Sequence, residues 1–145
     1  MKDCIFCKIA KKEVSAYVVQ ESENFLAFLD IHPHAPAHTL VIPKDHYERF
    51  LDLPENLGEE FIKIVKESAL LISKALKTKD FTFGINEGPY AGQAVGHLHL
   101  HIMPRFKNDG GGSIHSVVFN QPKESLEEIY SRIRGSYGSN ADTRR

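Results

Sequence analysis

The sequence predicts an α+β domain, in which an antiparallel sheet is covered by one long helix. Two observations carry this prediction. Five short apolar segments are separated mostly by short turns, which favours antiparallel pairing. Residues 57–76 place apolar side chains close to the 3.6-residue period of a helix, with lysine and glutamate between them. One amphipathic helix of this length can cover the buried face of the sheet.

The predicted strands are runs rich in β-branched, aromatic and other apolar residues, and they span 16–21, 24–31, 39–43, 81–86 and 98–104. A proline-broken loop at 31–37 and a glycine-punctuated loop at 87–93 lie between them. Shorter helical segments are predicted at 5–12 and 126–133.

Length and composition predict one domain with a C-terminal extension. A chain of 145 residues is close to the size of one domain, and its 41% hydrophobic residues are enough to build a core. Residues 1–110 are predicted to form the domain, and 111–135 an extension packed on or near it. Residues 136–145, polar and rich in glycine and serine, are predicted to be a disordered tail.

Charge and hydropathy argue against several functions. A net charge of −1, with acids and bases interspersed, gives no electrostatic basis for binding nucleic acid or an anionic membrane. No apolar run approaches the ~20 residues that cross a bilayer, and the N-terminus has no charged-then-apolar leader. We therefore expect a protein of the cytoplasm, or also of the nucleus in a eukaryote, that acts on a small molecule.

Three histidines alternate with apolar residues in the run His-Leu-His-Leu-His-Ile-Met at 97–103. Alternation is the period of a strand, so His97, His99 and His101 are expected in a row on one face, about 6.6 Å apart. Near neutral pH, imidazole can bind metal, transfer protons or attack phosphorus. A solvated polar face and a purely metal-binding set of histidines are the alternatives to a catalytic row.

The run 97–103 resembles the HφHφHφφ signature, in which φ is apolar, of the histidine triad (HIT) superfamily. The resemblance covers most of the folded chain, from about Cys4 to Arg105, and is closest to the Hint branch. Segments similar to those of Hint proteins stand at 5–9, 28–31, 35–44, 86–88 and 92–95. Several ordered motifs that agree in sequence and spacing are far more specific than one short pattern.

The resemblance implies about five antiparallel strands with one long and one short helix, and two subunits that pair into a ten-stranded sheet. It implies an enzyme that cleaves or transfers at the α-phosphate of a purine nucleotide, such as a nucleoside phosphoramidate, through a covalent nucleotidyl-histidine. His99, the middle histidine, would be the nucleophile, and no catalytic metal is expected. A dinucleoside polyphosphate hydrolase and a non-catalytic nucleotide-binding or scaffold protein are the alternatives.

The resemblance also assigns the other site residues. His101 would contact phosphate oxygens, His38 would position the phosphate, and Gln93 would donate to a non-bridging oxygen. Asp30 would bind the ribose hydroxyls, and Asn86 would make a polar contact near the ribose and phosphate. The slot for the base would be lined by Ile5, Phe6, Ile9, Phe28 and Ile31, and the phosphate loop would comprise Gly92, Gln93, Ala94 and Val95.

Cys4 and Cys7, the only cysteines, have the spacing of structural zinc sites, in which soft thiolates bind the ion. One such pair is a weak signal, and two partly buried thiols or a redox pair are the alternatives. By resemblance to some HIT proteins, His46 and His97 would complete a closed site of two cysteines and two histidines. Such a site would be structural.

Two features depart from the Hint pattern. Ala94 stands where Hint enzymes have a serine that helps the leaving group, and the chain lacks the tryptophan that those enzymes carry near the C-terminus. Substrate preference therefore does not carry over with the resemblance. Three further histidines, His32, His34 and His115, are predicted to be surface or loop residues without an assigned role.

Overall fold

The computed structural model describes residues 3–136, so the predicted tail beyond Ser136 lies outside the described residues. The helices and strands are α1 (Ile5–Ala10), β1 (Val18–Glu21), β2 (Phe25–Leu29), β3 (Thr39–Pro43), α2 (Gly58–Leu76), β4 (Phe81–Gly84), β5 (Leu100–Pro104) and α3 (Leu126–Gly135). The chain divides into two compact units between Gly111 and Gly112, and the packing of 111–135 on the first unit stays a prediction. No helix in the described part is long and apolar enough to cross a membrane.

The five strands form one antiparallel sheet in the order β1-β2-β3-β5-β4. β3 is central, and its Leu40 pairs with Phe28 of β2 on one side and with His101 of β5 on the other. The α+β class, the antiparallel sheet and the long helix α2 are therefore confirmed. Within residues 3–136, β4 forms one edge of the sheet and pairs with β5 alone.

Both faces of the central strands are covered, because their residues alternate between two apolar clusters. The cluster on the α2 side contains Phe25, Ala27, Val41, Phe61, Ile64, Ala69, Ile72 and Ile102. The cluster on the α1 side contains Phe6, Leu26, Phe28, Leu40 and Ile42. Each large side chain buried in this way contributes about 1.5–3 kcal/mol. Burial on both faces explains why the sequences of β2 and β3 are continuous apolar runs. It also makes the sheet a rigid support for the residues on its α1 side.

Strand β5 is shorter than the predicted strand at 98–104, and this changes the setting of two histidines. The ladder begins at Leu100, so His97 and His99 precede it. Both residues are almost completely buried, with 0% and 5% of their surface exposed, respectively. The segment that carries them is held by specific hydrogen bonds and not by the regular pairing of a strand.

Pro43, the last residue of β3, explains why the ladder stops. The next residue, Lys44, donates its N–H to Asn24 O on the β2 side, so the backbone of Pro43 faces the β5 side. Proline has no N–H with which to extend the ladder. Leu98 N–H instead donates to Tyr47 O at 2.6 Å. The chain thus leaves the sheet at the segment that carries His97 and His99.

Candidate functional site

His99 is held by one short hydrogen bond that determines its tautomer. Its Nδ1–H donates to the backbone carbonyl of His97 at 2.7 Å. A neutral imidazole that carries its hydrogen on Nδ1 has a lone pair on Nε2. The ring is packed between aromatic neighbours, with ring centroids 5.3 Å from Phe6 and 5.0 Å from His101. Tautomer and orientation therefore suit nucleophilic attack through Nε2.

The Nε2 atom of His99 is open to a reactant. Among the described residues, only Ser68 Oγ and His101 Nε2 are side-chain polar atoms that are both sealed from solvent and without a hydrogen-bond partner. His99 Nε2 also makes no hydrogen bond, but it is not one of these sealed atoms, so it keeps contact with solvent. Most of the His99 ring is thus buried, while its Nε2 atom stays accessible.

A chain of hydrogen bonds sets the tautomer of His101. The backbone N–H of His34 donates to His38 Nδ1 at 3.1 Å, so a neutral His38 carries its hydrogen on Nε2. His38 Nε2 then donates to His101 Nδ1 at 2.9 Å. His101 must therefore carry its own hydrogen on Nε2, which is the sealed and unpartnered atom. A buried N–H without a partner is rare in folded proteins and calls for an explanation.

Burial keeps these imidazoles neutral. It lowers the pKa of His101 to about 4, with smaller contributions from the neighbouring His99 and His38. Burial also lowers the pKa of His38, although the carboxylate of Asp30 opposes this shift. Both rings are therefore neutral at pH 7. His101 is therefore a neutral N–H donor that lies next to His99.

Asp30 lies beside this chain at the start of the 30–38 loop. Its Oδ1 accepts the backbone N–H of His32 at 2.8 Å, and its Oδ2 is 3.8 Å from His38 Nε2. One carboxylate oxygen therefore closes the turn, and the other faces the site. A cavity of about 410 Å³ opens here and is lined by Leu29, Asp30 and residues 33–38. The cavity lies on the Asp30 and His38 side of the cluster and is not lined by His99.

The structure divides the predicted apolar slot into two groups. Phe6 and Phe28 are buried and pack edge to face with centroids 5.7 Å apart, so they form a wall of the α1-side core. Ile9 is partly buried against the same cluster. Ile5 and Ile31 keep 41% and 78% of their surface exposed, which leaves them free to contact a ligand.

In the loop at 87–95, which precedes the histidines, the side chain of Gln93 is hydrogen-bonded to backbone groups. Gln93 Nε2 donates to Glu48 O at 2.8 Å and to Val95 O at 3.0 Å, while its Oε1 accepts the N–H of Gly88 at 2.8 Å. Both amide hydrogens are therefore engaged, so donation to a phosphate oxygen requires that one of these bonds be given up. The turn needs glycine at two positions, since Gly88 and Gly92 have φ of 83° and 84°.

The other predicted residues of this region differ in accessibility. Asn86, Gly92 and Ala94 are exposed, and Val95 is half-buried against the α1-side cluster. Because Ala94 has no polar side-chain atom, the loop offers no hydroxyl at this position.

A second cluster brings Cys4, Cys7, His46 and His97 together. Cys4 Sγ is 3.4 Å from His97 Nδ1, and Cys7 Sγ lies 3.3 Å from His46 Nδ1 and 3.5 Å from His97 Nδ1. Zinc–ligand bonds of 2.0–2.3 Å at tetrahedral angles place sulfur and nitrogen ligands about 3.6 Å apart. Burial and the nearby Cys4 raise the pKa of the Cys7 thiol, so binding of an ion there would displace protons.

The tautomer of His97 also suits metal binding. Its Nε2–H donates to Pro43 O at 2.9 Å, which leaves the Nδ1 lone pair directed at the two sulfur atoms. A metal-bound histidine usually donates its other N–H to such a carbonyl. The two cysteines, the two histidines and the hydrogen bond from His97 to Pro43 O therefore fit a tetrahedral divalent ion.

Asp30, His38 and His101 also place three potential ligand atoms close together, but the hydrogen bonds argue against an ion there. His38 Nδ1 accepts the N–H of His34, so His38 Nε2 carries the hydrogen and has no lone pair for a metal. Binding through Nε2 would require an imidazolate anion. This cluster is therefore better described as a chain of hydrogen bonds than as a metal site.

With this geometry established, comparison with known proteins identifies the family. A model of the HIT domain matches residues 11–108, most of the chain. The chain belongs to the HIT family. The HIT proteins similar to it include an uncharacterised HIT-like protein of Methanocaldococcus jannaschii, 44% identical over 133 residues that cover 91% of this chain and 99% of that protein.

Two further HIT relatives are informative. An adenosine 5'-monophosphoramidase of Saccharomyces cerevisiae is 37% identical over 137 residues, which cover 92% of this chain and 84% of that protein. The crystal structure of a HIT family member from Bacillus subtilis has a TM-score of 0.81 at 35% identity and covers 95% of this chain and 99% of that one. The resemblance to the HIT superfamily is thereby confirmed.

The resemblance implied one of the groups that orient the HIT histidines, a backbone carbonyl near the first histidine, and sequence reasoning missed the others because they belong to the backbone. The N–H of His34 and the carbonyls of Pro43 and His97 each set a tautomer. Every residue except proline carries both backbone groups, so the sequence marks none of them. The proline at the end of a strand before the histidine run was the one available signal.

We predict that His38→Ala raises the pKa of His101 from about 4 toward the ordinary value of 6.5. The substitution admits water to a buried ring and removes the N–H that donates to its Nδ1. Titration of the histidine ring resonances by NMR measures the change, with His115→Ala as a control that leaves His101 unchanged. Titration of His101 near 6.5 in the unmodified chain would contradict this account.

Proposed function

We propose that this chain is a nucleotide hydrolase or transferase of the phosphoramidase type, which acts at the α-phosphate of a purine nucleotide through a covalent nucleotidyl-histidine. The observation that carries the proposal is His99, whose Nδ1–H is bound to a carbonyl at 2.7 Å while Nε2 stays accessible. The monophosphoramidase named among the relatives, at 37% identity, supports this reaction class. So does the neutral N–H of His101 beside the nucleophile.

The proposed reaction proceeds in two displacements. His99 Nε2 forms a bond to the α-phosphorus while the bond from phosphorus to the leaving nitrogen or oxygen breaks, and the leaving group takes up a proton from solvent, to which the attacking water later returns one. Water then attacks the phosphorus, the bond to Nε2 breaks, and the nucleoside monophosphate is released. In the intermediate the imidazole is cationic, and its Nδ1–H bond to the carbonyl of His97 becomes a charge-assisted hydrogen bond.

Substrate binding follows from the placement of the other residues. The free carboxylate oxygen of Asp30, beside the cavity, is proposed to receive the ribose hydroxyls. Ile5 and Ile31, both exposed, are proposed to enclose the flat purine against the wall formed by Phe6. His101 Nε2–H, sealed and unpartnered in this structure, is proposed to donate to a non-bridging phosphate oxygen once nucleotide binding exposes it. An apolar slot with a few convergent polar groups is the usual design of such a pocket.

Zinc is proposed to be a structural ion at the cluster of Cys4, Cys7, His46 and His97, with no catalytic metal. Cys4 and Cys7 are free thiols that need reducing conditions to bind an ion, which supports a cytoplasmic setting. The balanced charge of −1 supports a small-molecule substrate over nucleic acid or a membrane surface.

A homodimer with a continuous ten-stranded sheet is proposed for the assembly. Among the residues that the structure describes, no strand pairs with the outer side of the edge strand β4, so a second copy can extend it, and Phe83 on β4 is 44% exposed. Ile62 and Leu70 of α2, 62% and 66% exposed, add an apolar surface on one side of the helix.

We expect His99→Asn to keep the fold and AMP binding but to lower kcat by about 10³-fold or more, because the attacking nitrogen is lost. Assays with an adenosine phosphoramidate and a diadenosine polyphosphate, run side by side, measure activity and separate the two hydrolase classes. Mass spectrometry of rapidly quenched protein should trap a nucleotidyl adduct in the unmodified chain only, with His115→Asn as the matched control.

Two results would overturn this function. Full activity of His99→Asn would remove the nucleophile, and saturable AMP binding without any trapped adduct or turnover would instead support a nucleotide-binding scaffold. Preference for the diadenosine polyphosphate would retain the chemistry and replace the substrate class.

Purified protein is predicted to contain about one zinc ion per chain. Cys7→Ser should reduce this stoichiometry to near zero, because one of four ligands is lost. Elemental mass spectrometry after gel filtration measures the content, and His115→Ala should retain the ion. Fresh protein prepared under reducing conditions and free of zinc would remove the proposed ion.

Light scattering in solution should give twice the chain mass of 16.4 kDa. Phe83→Glu is expected to shift the protein toward the monomer, since it places a charge on the open edge of β4. A monomeric unmodified chain at micromolar concentration would exclude the proposed dimer.

A further inference from the structure

His97 belongs at once to the metal cluster and to the support of the nucleophile. Its Nδ1 faces Cys4 Sγ and Cys7 Sγ at 3.4 and 3.5 Å. Its backbone carbonyl accepts the Nδ1–H of His99 at 2.7 Å. The residue is completely buried, with 0% of its surface exposed. One residue therefore joins the candidate ion to the tautomer and orientation of the candidate nucleophile.

The connection is stiff, because every polar group of His97 is engaged. Its ring Nε2–H donates to Pro43 O at 2.9 Å, and its backbone N–H donates to Val95 O at 2.8 Å. The peptide that follows is held through Leu98 N–H, which donates to Tyr47 O at 2.6 Å. The backbone on either side of His97 is therefore fixed. A shift of the His97 ring moves the His97 carbonyl, to which His99 is hydrogen-bonded.

Helix α1 provides a second connection. The helix begins directly after Cys4 and contains Cys7. Between them, Phe6 packs edge to face on two histidines, with ring centroids 5.9 Å from His97 and 5.3 Å from His99. A helix of six residues has little stability of its own in water. The position of α1 therefore depends on its side-chain contacts. Cys4 and Cys7 make such contacts on either side of Phe6 in the sequence.

We propose that occupancy of the cluster of Cys4, Cys7, His46 and His97 by a divalent cation controls the orientation of His99. The cluster is then a regulatory element of the catalytic site, and His97 is a positioning residue that acts through its carbonyl. The inference rests on the proposed function for the role of His99 and on the proposed ion. When the cation is bound, α1 and the 97–99 segment are locked, and when it is lost, His99 samples other orientations.

The decisive measurement is the ring nitrogen signals of His99 in ¹⁵N NMR, which report its tautomer directly. In protein loaded with Zn²⁺ we expect a single Nδ1–H tautomer. Removal of Zn²⁺ by a chelator should give averaged signals and lower kcat for an adenosine phosphoramidate by about 10- to 100-fold, the size of loss seen when a group that orients an active-site ligand is removed. Gel filtration and circular dichroism establish that the chain stays folded.

A matched pair of variants at position 46 isolates the ion, because His46 has no described contact with His99. His46→Gln removes a ligand and should reproduce the averaged His99 signals at the same Zn²⁺ concentration. His46→Cys restores a zinc ligand and should restore the single tautomer and kcat. His115→Gln, at an exposed histidine outside both clusters, should change neither.

Unchanged His99 signals and kcat in folded, zinc-free protein would overturn the proposal. Where removal of the ion unfolds the chain, the folded His46→Gln protein is compared at limiting and saturating Zn²⁺. His99 signals that do not change with occupancy of the cluster would then overturn the proposal. Failure of the proposed function is a separate result: zinc-loaded protein would turn over no phosphoramidate, while the His99 signals would still report whether the cation controls the ring.

Discussion

The hydrogen bond from His99 Nδ1–H to the carbonyl of His97 is the constraint on which the candidate site depends. At 2.7 Å and largely shielded from water, it fixes which nitrogen is free and where that nitrogen points. The surrounding structure holds the acceptor still: Pro43 ends the ladder, and Tyr47 and Val95 bind the backbone on either side. The antiparallel sheet, buried on both faces, provides the rigid base for these contacts.

The site is built from neutral donors, although its proposed ligand is an anion. Burial lowers the pKa of His38, His97 and His101, so none of these rings carries a charge at pH 7. Fixed N–H dipoles in a dry site stabilise negative charge without the desolvation cost of a buried cation. The same shifts link stability to pH. As the pH falls below 6.5, the unfolded chain takes up protons that the folded chain resists, so stability declines toward acid.

The fold could be predicted from the sequence because its signals are periodic and strong. The helical period of α2 and the apolar strands are both confirmed by the structure, whereas only His101 of the three alternating histidines lies on a strand. Strand limits were less accurate, since the end of the β5 ladder depends on a proline in another strand. The grouping of Cys4, Cys7, His46 and His97 came from resemblance, and the structure brings these four side chains together.

Hydrogen-bond partners could not be predicted in the same way. Gln93 was expected to face a phosphate, yet its amide binds Glu48, Gly88 and Val95, because a loop with two left-handed glycines needs an internal brace. The tautomers of His38 and His101 follow from one amide of His34, for which the sequence carries no sign. Chemistry-bearing residue types are visible in a sequence, whereas the backbone atoms that aim them are not.

Pro43 has a consequence for how this scaffold tolerates change. Any other amino acid at position 43 would supply a backbone N–H. Strands β3 and β5 could then form one more hydrogen-bonded pair. A regular pleat would then draw the 97–99 segment into line and pull the imidazole of His97 from its carbonyl anchor. The orientation of the histidines is thus protected by a tertiary amide that has no hydrogen to donate. Substitution of Pro43 would make the sheet more regular and would disturb the candidate site.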